Sequence, residues 1–201
     1  MTDEVIAHYD ALARLGNDPV LDPPELRAYM DKWDGGTFFD MLEPDPTQSV
    51  LEIGCGSGRL AVRVAPAVRS FCGIDISPET VKLAKTHLIS ENVRLVCADF
   101  LRYDFSEKFD LIYSSLTFMH IRDKKQAIAK VFSLLGHGGR FVLSIDKNRN
   151  SRLDFGEYSI EIYPDDPEET LILLHKCGFA DIKKRETEFA YIFIAERPDC
   201  S

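Results

Sequence analysis

The sequence predicts a doubly wound α/β fold with a Rossmann-like, seven-stranded, mostly parallel sheet. Short apolar runs alternate with helical patterns from residue 49 onward, which is typical of parallel strands covered by helices on both faces. A glycine-rich turn follows the first apolar run at residues 54–58. The last two apolar runs are joined by a tight polar link, which favours an antiparallel hairpin at one edge of the sheet.

The strands follow from runs rich in β-branched and aromatic residues. They are predicted at about residues 49–53, 70–76, 93–98, 110–114, 140–145, 181–186 and 189–196.

The helices follow from apolar spacing and from capping residues. Residues 1–46 carry helical pieces that are broken by glycines and prolines. Ser77 caps one later helix and Asp123 caps another, which ends at the glycines of 136–139. A last helix covers about residues 167–177, after a polar segment that begins at Lys147. That segment is either a substrate lid or a solvated connection, and its length favours the lid.

Composition limits the classes of function. The chain has 201 residues and a formal net charge of −9, which disfavours a nucleic-acid partner. No apolar run approaches the ~20 residues that span a bilayer, and residues 1–10 lack the features of a secretory signal. We therefore expect a cytoplasmic protein without membrane or nucleic-acid partners.

The cysteines are odd in number and none has CxxC spacing, so we expect a reducing compartment without zinc or disulfides. They are Cys55, Cys72, Cys97, Cys177 and Cys200.

Three features meet at the carboxyl ends of successive strands, where open α/β sheets bind ligands. The glycine turn lets the backbone approach a ligand closely. Asp75, at the end of the second strand, can accept hydrogen bonds from a ribose diol. Asp99, at the end of the third strand, can accept one from an adenine amine, while Ile76 and Phe100 can enclose the ring.

Five segments resemble, in order, the motifs of the class I S-adenosylmethionine-dependent methyltransferases of the small-molecule type. They are residues 50–61, 73–77, 97–100, 109–114 and 135–141. The resemblance covers about residues 36–196 and implies S-adenosylmethionine as the cofactor. It divides a single domain, 1–201, into a helical lid segment (1–46), a cofactor-binding half (49–146) and a substrate-side loop with the closing hairpin (147–201).

The resemblance also implies the residues that bind the cofactor. Gly54, Cys55 and Gly56 would approach its methionine half, and Ser114 with its neighbours would hold the methionyl group. The resemblance further implies that Tyr9 or Trp33 forms part of a lid. The implied cofactor-binding set is Glu52, Gly54, Cys55, Gly56, Asp75, Ile76, Asp99, Phe100 and Ser114.

A nicotinamide dehydrogenase is the rival interpretation. Its fingerprint needs glycine at position 59, where this chain has Arg59. The segment after the fourth strand, Ser-Ser-Leu-Thr at 114–117, has neither the Pro-Pro pattern of amino methyltransferases acting on bases nor the acidic residue of metal-dependent catechol enzymes. We therefore expect no metal.

His120, just after the fourth strand, is the candidate catalytic base, acting near an unperturbed pKa of about 6.5. The expected function is methyl transfer to a small-molecule acceptor. Two alternatives remain open: a cofactor-binding protein without turnover that serves as a partner subunit, and a protein methyltransferase. His8 has no evident partner in the sequence and is expected at the surface.

Overall fold

The structure, a computed structural model, describes residues 3–156 and 158–199. Cys200 lies outside the described residues, and Cys55, Cys72, Cys97 and Cys177 carry free thiols. The helices are α1 (Asp3–Arg14), α2 (Pro24–Asp34), α3 (Gly36–Leu42), α4 (Ala61–Val64), α5 (Pro78–His87), α6 (Lys124–Leu134) and α7 (Pro167–Lys176). The strands are β1 (Ser49–Ile53), β2 (Ser70–Asp75), β3 (Val93–Cys97), β4 (Phe109–Ser115), β5 (Leu135–Asp146), β6 (Arg152–Asp154), β7 (Ser159–Glu161), β8 (Ala180–Glu186) and β9 (Ala190–Glu196).

One seven-stranded sheet organises the chain in the order β3-β2-β1-β4-β5-β9-β8. Strands β1 to β5 pair in parallel, and β9 pairs antiparallel with both β5 and β8. The predicted fold class, including the antiparallel hairpin at one edge, is confirmed. Within residues 3–156 and 158–199, none of the helices combines the length and apolar character that crossing a bilayer needs.

The buried central strand β1 shows why both faces of the sheet are covered. Leu51 and Ile53 pack into the core cluster that includes α6. Val50, whose side chain points the other way, packs with Phe38 of α3 and Val64 of α4. Successive side chains of a strand alternate between faces, so an almost continuous apolar run needs helices on both sides.

Strand β5 is longer than the sequence predicts, since it begins at Leu135 and not near residue 140. The pairing with β4 shifts register, from Phe109 opposite Leu135 to Leu111 opposite Arg140. This first part of β5 is irregular, with φ +71° at Gly138, and the C-terminal segment pairs with it: Gly138 N donates to Arg197 O at 2.9 Å.

The segment from Lys147 contains a hairpin that packs on the rest of the chain, unlike a solvated connection, and the lid that its length favours stays a prediction. Strands β6 and β7 pair through Leu153 and Ile160. Ile160 and Ile162 are buried against Met119. Each strand has three residues, too few for a period to be recognised in the sequence.

Helix α1 lies between α5 and this hairpin. Asp10 accepts hydrogen bonds from Ser77 Oγ (2.6 Å) and Glu79 N (3.1 Å), which join α1 to the first turn of α5. On the other side, His8 is buried and its Nδ1 lies 2.8 Å from Tyr158 Oη. The expectation of a surface His8 without a partner is therefore wrong, and α1 is fixed from both sides.

Replacing Asp10 with alanine tests how strongly α1 is held. We expect Asp10→Ala to lower the free energy of unfolding by about 1–3 kcal/mol, because the Ser77 hydroxyl and the Glu79 amide lose their acceptor. Urea unfolding followed by circular dichroism measures this. The exposed Asp40 provides the control, since Asp40→Ala should change stability by less than about 0.5 kcal/mol. Equal losses in the two variants would contradict the docking role of Asp10.

Candidate active site

A cavity of about 240 Å³ opens at the carboxyl ends of β1, β2 and β4. The wall contains these residues singled out in the sequence: Glu52, Gly54, Cys55, Gly56, Asp75, Ile76, Phe100 and His120. Helix α1 contributes Val5 and Tyr9 to the wall. The site is therefore formed by the glycine turn, two later strand ends and the N-terminal segment.

The glycine turn has a backbone that a side chain would disturb. Gly54 has φ +75°, and a Cβ on it would lie 2.0 Å from Thr117 Oγ1. Gly56 has φ +53°, and a Cβ on it would meet no atom within 4 Å. Gly54 therefore lets the turns after β1 and β4 touch, while Gly56 leaves open space at the cavity wall.

Ser57 is a further polar group in this wall that the sequence argument did not single out. Its side chain is buried, it lines the cavity, and its Oγ has no hydrogen-bond partner among the described residues. A buried hydroxyl without a partner is costly unless a ligand or water satisfies it. The glycine turn thus presents an unused hydrogen-bonding group to a ligand.

Asp75 is held rigidly at the end of β2. Its Oδ2 accepts from Gly56 N at 2.9 Å, and its Oδ1 accepts from Ser77 N at 2.9 Å and from Thr80 Oγ1 at 3.3 Å. Burial raises the pKa of Asp75, although these hydrogen bonds oppose that effect. Since an ionised carboxylate has about four acceptor positions, Asp75 keeps capacity for a ligand hydroxyl.

Asp99 and Ser114 do not line the cavity. Asp99 Oδ1 accepts from Leu101 N at 2.8 Å, while its neighbours Ala98 and Phe100 face the cavity. Ser114 is fully buried, and its Oγ donates to Ile53 O at 2.9 Å. Because that hydroxyl is used between β4 and β1, the cavity wall at the end of β4 begins one residue later, at Ser115.

Glu52 is a buried carboxyl directly below the glycine turn. It is 3% exposed and accepts a hydrogen bond from Tyr113 Oη at 2.9 Å. Burial raises the pKa of Glu52 to about 8, although Tyr113 and Arg59 act in the opposite direction. Glu52 is therefore mostly protonated at neutral pH.

Arg59 and Asp34 form a two-pronged ion pair beside Glu52. Arg59 Nη1 donates to Asp34 Oδ1 at 2.9 Å, and Nη2 donates to Oδ2 at 2.5 Å. Ser115 Oγ also donates to Asp34 Oδ2 at 2.5 Å. Burial disfavours the charged guanidinium, but Asp34 outweighs this effect and raises the pKa of Arg59. Asp34 thus links α2 to the segment that follows β1 and to the last residue of β4.

His120 lies in the cavity wall opposite Tyr9 of α1. Its Nε2 is 2.9 Å from Tyr9 Oη, and its buried Nδ1 has no hydrogen-bond partner among the described residues. Burial lowers the pKa of His120 to about 4, and His8 and Lys124 act in the same direction. Burial raises the pKa of Tyr9. At neutral pH the imidazole is uncharged and the phenol is protonated; the expected pKa near 6.5 for His120 is wrong because the ring is desolvated.

The short helical turn at 118–120 is held by the segment that follows the β6–β7 hairpin. Lys124 Nζ donates to Phe118 O at 2.5 Å and to Tyr163 O at 2.8 Å, and it pairs with the buried Asp165 at 2.7 Å. Tyr163 N donates to Met119 O at 2.7 Å. These contacts fix the backbone that carries His120.

Metal ligands are not grouped anywhere in the described chain. Across 3–156 and 158–199, no set of three or more His, Cys, Asp or Glu side chains is placed to hold a metal ion.

Comparison with known proteins identifies the central part of the chain. Residues 50–139 match the family model described as a methyltransferase domain. This range contains the glycine turn, Asp75, Asp99 and His120, on which the sequence argument rests. The resemblance stated from the motifs is confirmed.

Two curated relatives and one solved structure illustrate the similarity. The malonyl-[acyl-carrier protein] O-methyltransferase of Anoxybacillus flavithermus is 34% identical over 101 residues, which cover 49% of this chain and 39% of that protein. Phosphoethanolamine N-methyltransferase 3 of Arabidopsis thaliana is 33% identical over 129 residues, which cover 62% of this chain and 26% of that protein. The chain spans about half the length, or less, of the curated relatives it matches. The structure of a DhpI–SAH complex has a TM-score of 0.74 at 17% identity and covers 98% of this chain and 96% of that one, so the fold is shared.

The protonation of Glu52 makes stability depend on pH. The carboxyl of Glu52 has a pKa of about 8 in the folded state, whereas an unfolded glutamate has a pKa of about 4.3. Between these two pH values the folded state therefore binds more protons than the unfolded state does. The free energy of unfolding should therefore fall as pH rises through this window, by at most about 1.4 kcal/mol per pH unit from this group. Glu52→Gln should lack this pH-dependent contribution. The free energy of unfolding of the variant minus that of wild type should therefore rise from pH 5 to pH 7.5.

Denaturant unfolding at several pH values measures the difference. The exposed Glu91 provides the control, because Glu91→Gln should follow the wild-type profile. A constant difference between Glu52→Gln and wild type across the window would show that Glu52 is not protonated in the folded state.

Proposed function

We propose that this chain is a class I S-adenosylmethionine-dependent methyltransferase and that it transfers a methyl group from S-adenosylmethionine to a small-molecule acceptor. One observation carries the proposal: a single cavity joins the glycine turn, the carboxylate of Asp75 and the ring of His120. The first two suit an adenosine-containing cofactor, and the third suits an acceptor.

The residues present fit the cofactor. Asp75 has acceptor capacity for the ribose hydroxyls, and Ile76 and Phe100 supply apolar walls for the adenine. At the other end, the unpartnered Ser57 Oγ and the open space at Gly56 leave room and a hydrogen-bonding group for the methionine half. When bound, S-adenosylmethionine supplies an electrophilic methyl group on a sulfonium leaving group.

The protein's contribution to such a transfer is orientation and, where the acceptor must lose a proton, a base. Tyr9 and His120 close one side of the cavity and limit the approach of the acceptor. In the tautomer with hydrogen on Nε2, the ring donates to Tyr9 Oη and the Nδ1 lone pair remains available for the acceptor's proton. With a pKa of about 4, His120 is already unprotonated at neutral pH, so it can accept a proton directly, although it is a weaker base than an ordinary histidine.

The position of α1 supports a small acceptor over a protein side chain. Val5 and Tyr9 line the cavity, and α1 is fixed both to α5 and to the β6–β7 hairpin. An acceptor must therefore lie beneath a helix that is held on two sides. The names of the two relatives indicate that the family includes proteins acting on acyl-carrier and phosphoethanolamine acceptors.

Calorimetric titration with S-adenosylmethionine, S-adenosylhomocysteine (SAH) and NADH tests the site. We expect the first two to bind and NADH not to bind. Asp75→Asn should weaken binding by about 1–3 kcal/mol through the lost charged hydrogen bonds, while Asp110→Asn, at the exposed opposite end of β4, should bind as wild type. A folded Asp75→Asn variant with unchanged affinity would refute the assignment of Asp75.

The role of His120 is tested by kinetics once an acceptor is found by screening methyl uptake from labelled cofactor. If His120 is the base, His120→Asn should lower kcat by about 10²–10⁴-fold, with cofactor affinity nearly unchanged. The exposed His175 of α7 provides the control through His175→Gln. Because the pKa of His120 is about 4, kcat should show no loss from this group between pH 8 and pH 6. A wild-type kcat in His120→Asn would remove the base from the mechanism.

A further inference from the structure

A second cavity, of about 280 Å³, lies beside the cavity at the glycine turn. The two cavities share Pro19, Arg59 and Leu60 in their walls. Arg27 of α2 and Arg63 of α4 line the second cavity but not the first. Three arginines therefore meet at one cavity in a protein whose formal net charge is −9. Such a local excess of cations in an acidic chain is typical of a site for an anion.

Two of the three guanidinium groups have no carboxylate partner. Arg59 pairs with Asp34 through both terminal nitrogens, at 2.9 and 2.5 Å. In the described part of the chain, neither Arg27 nor Arg63 forms an ion pair. The wall itself contains one carboxylate, that of Asp31. The cavity therefore keeps an excess of positive charge after its internal pairing is complete.

Arg63 is held in place by an aromatic ring. Its guanidinium carbon lies 3.3 Å from the centre of the Phe39 ring, a distance that places the planar group on the face of the ring. Phe39 in turn packs on the buried cluster that contains Phe38 and Val64. A stacked guanidinium keeps its N–H donors in its own plane, and these donors have no hydrogen-bond partner among the described residues. Arg63 thus offers an oriented set of unused donors.

Arg27 is held by the backbone of the turn that precedes α2. Its Nε donates to Asp22 O at 2.7 Å and its Nη2 donates to Val20 O at 3.1 Å, which leaves both hydrogens of Nη1 available. The turn is itself anchored, because Asp18 accepts from Val20 N at 3.3 Å and lies 2.6 Å from Nε2 of His87 in α5. A ligand would therefore not have to order the Arg27 side chain.

These two guanidinium groups suit a phosphate better than a carboxylate. Guanidinium donors form short, charge-assisted hydrogen bonds with either anion. A phosphate group carries a charge of about −1.5 to −2 at pH 7 and has three acceptor oxygens, so it can bind two donor groups that come from different helices. A carboxylate has half that charge or little more, and its two oxygens lie in one plane.

We propose that the second cavity is a binding site for a phosphate group, which is bound by Arg27 and Arg63. The site is distinct from the proposed cofactor site, because neither arginine lines the cavity at the glycine turn. The residues that carry the inference are independent of the proposed function, so the site can be tested without cofactor or turnover.

Titration with inorganic phosphate, followed by two-dimensional ¹H–¹⁵N NMR, tests the site. Exchange of chloride for phosphate keeps the ionic strength constant. We expect a saturable shift of the Arg63 Nε–H resonance, and at least about 10-fold weaker binding in Arg63→Gln through the lost charged hydrogen bonds. The exposed Arg102 after β3 provides the control, since Arg102→Gln removes the same charge outside the cavity and should bind as wild type. Asp31→Asn should bind phosphate more tightly, because the wall loses its carboxylate.

Three results would overturn the proposal. They are the absence of saturable shifts in wild type, an equal loss of affinity in Arg102→Gln and Arg63→Gln, and acetate binding as tightly as phosphate. If Arg63→Gln does not fold by circular dichroism, Arg27→Gln takes its place with the same expected loss.

A second titration, on protein saturated with SAH, tests whether the two sites are separate. Unchanged phosphate affinity supports the proposal, and loss of phosphate binding would place the anion in the cofactor cavity and overturn it. Failure of the protein to bind SAH would count against the proposed function alone, because the titration of the cofactor-free protein still reports on Arg63 and Arg27.

Discussion

The close contact between the turn after β1 and the turn after β4 is the constraint on which the rest of the site depends. Gly54 leaves no room for a Cβ, because Thr117 occupies that space. The amides of Gly54 and Cys55 both donate to Ile74 O, at 2.8 and 3.1 Å, so the same turn is also joined to β2. One residue without a side chain thus lets three strand ends converge, and Asp75 and His120 reach one cavity as a result.

Buried polar groups surround this contact, and nearly all of them are paired. Asp34 has Arg59 and Ser115, Glu52 has Tyr113, and Asp75 has the amides of Gly56 and Ser77. A buried polar group of this kind without a partner would lower the free energy of unfolding by more than a typical hydrogen bond raises it. The exceptions in the cavity wall are Ser57 Oγ and His120 Nδ1, which lie on the cofactor side and the acceptor side of the proposed reaction.

The sequence predicted those parts of the site that depend on local order along the chain. The glycine turn, Asp75 and His120 each follow an apolar strand, and parallel strands bring such positions to one edge. The expected contact of Ser114 and its neighbours with the methionyl group stays a prediction; its position at a strand end does not reveal that the Ser114 hydroxyl bonds to Ile53 O while Ser115 lines the cavity. Asp34 was assigned no role, and Tyr9 and the segment of the β6–β7 hairpin were expected only as parts of a lid, for a different reason. Their partners are distant in sequence, Arg59 for Asp34 and His120 for Tyr9, and no periodic pattern encodes such pairings.

The N-terminal segment contributes two polar contacts to the surroundings of the cavity. Tyr9 reaches His120 from α1, and Asp34 reaches Arg59 from the end of α2. Neither contact adds a net charge: the first holds a neutral imidazole against a protonated phenol, and the second matches a guanidinium with a carboxylate. A cationic sulfonium bound in this cavity, as the proposed function requires, would then be a positive charge that neither contact matches. An acceptor becomes more nucleophilic as it gives up a proton. Its attraction to that charge would be largely unscreened in a site covered by α1, so electrostatics and orientation would both favour methyl transfer.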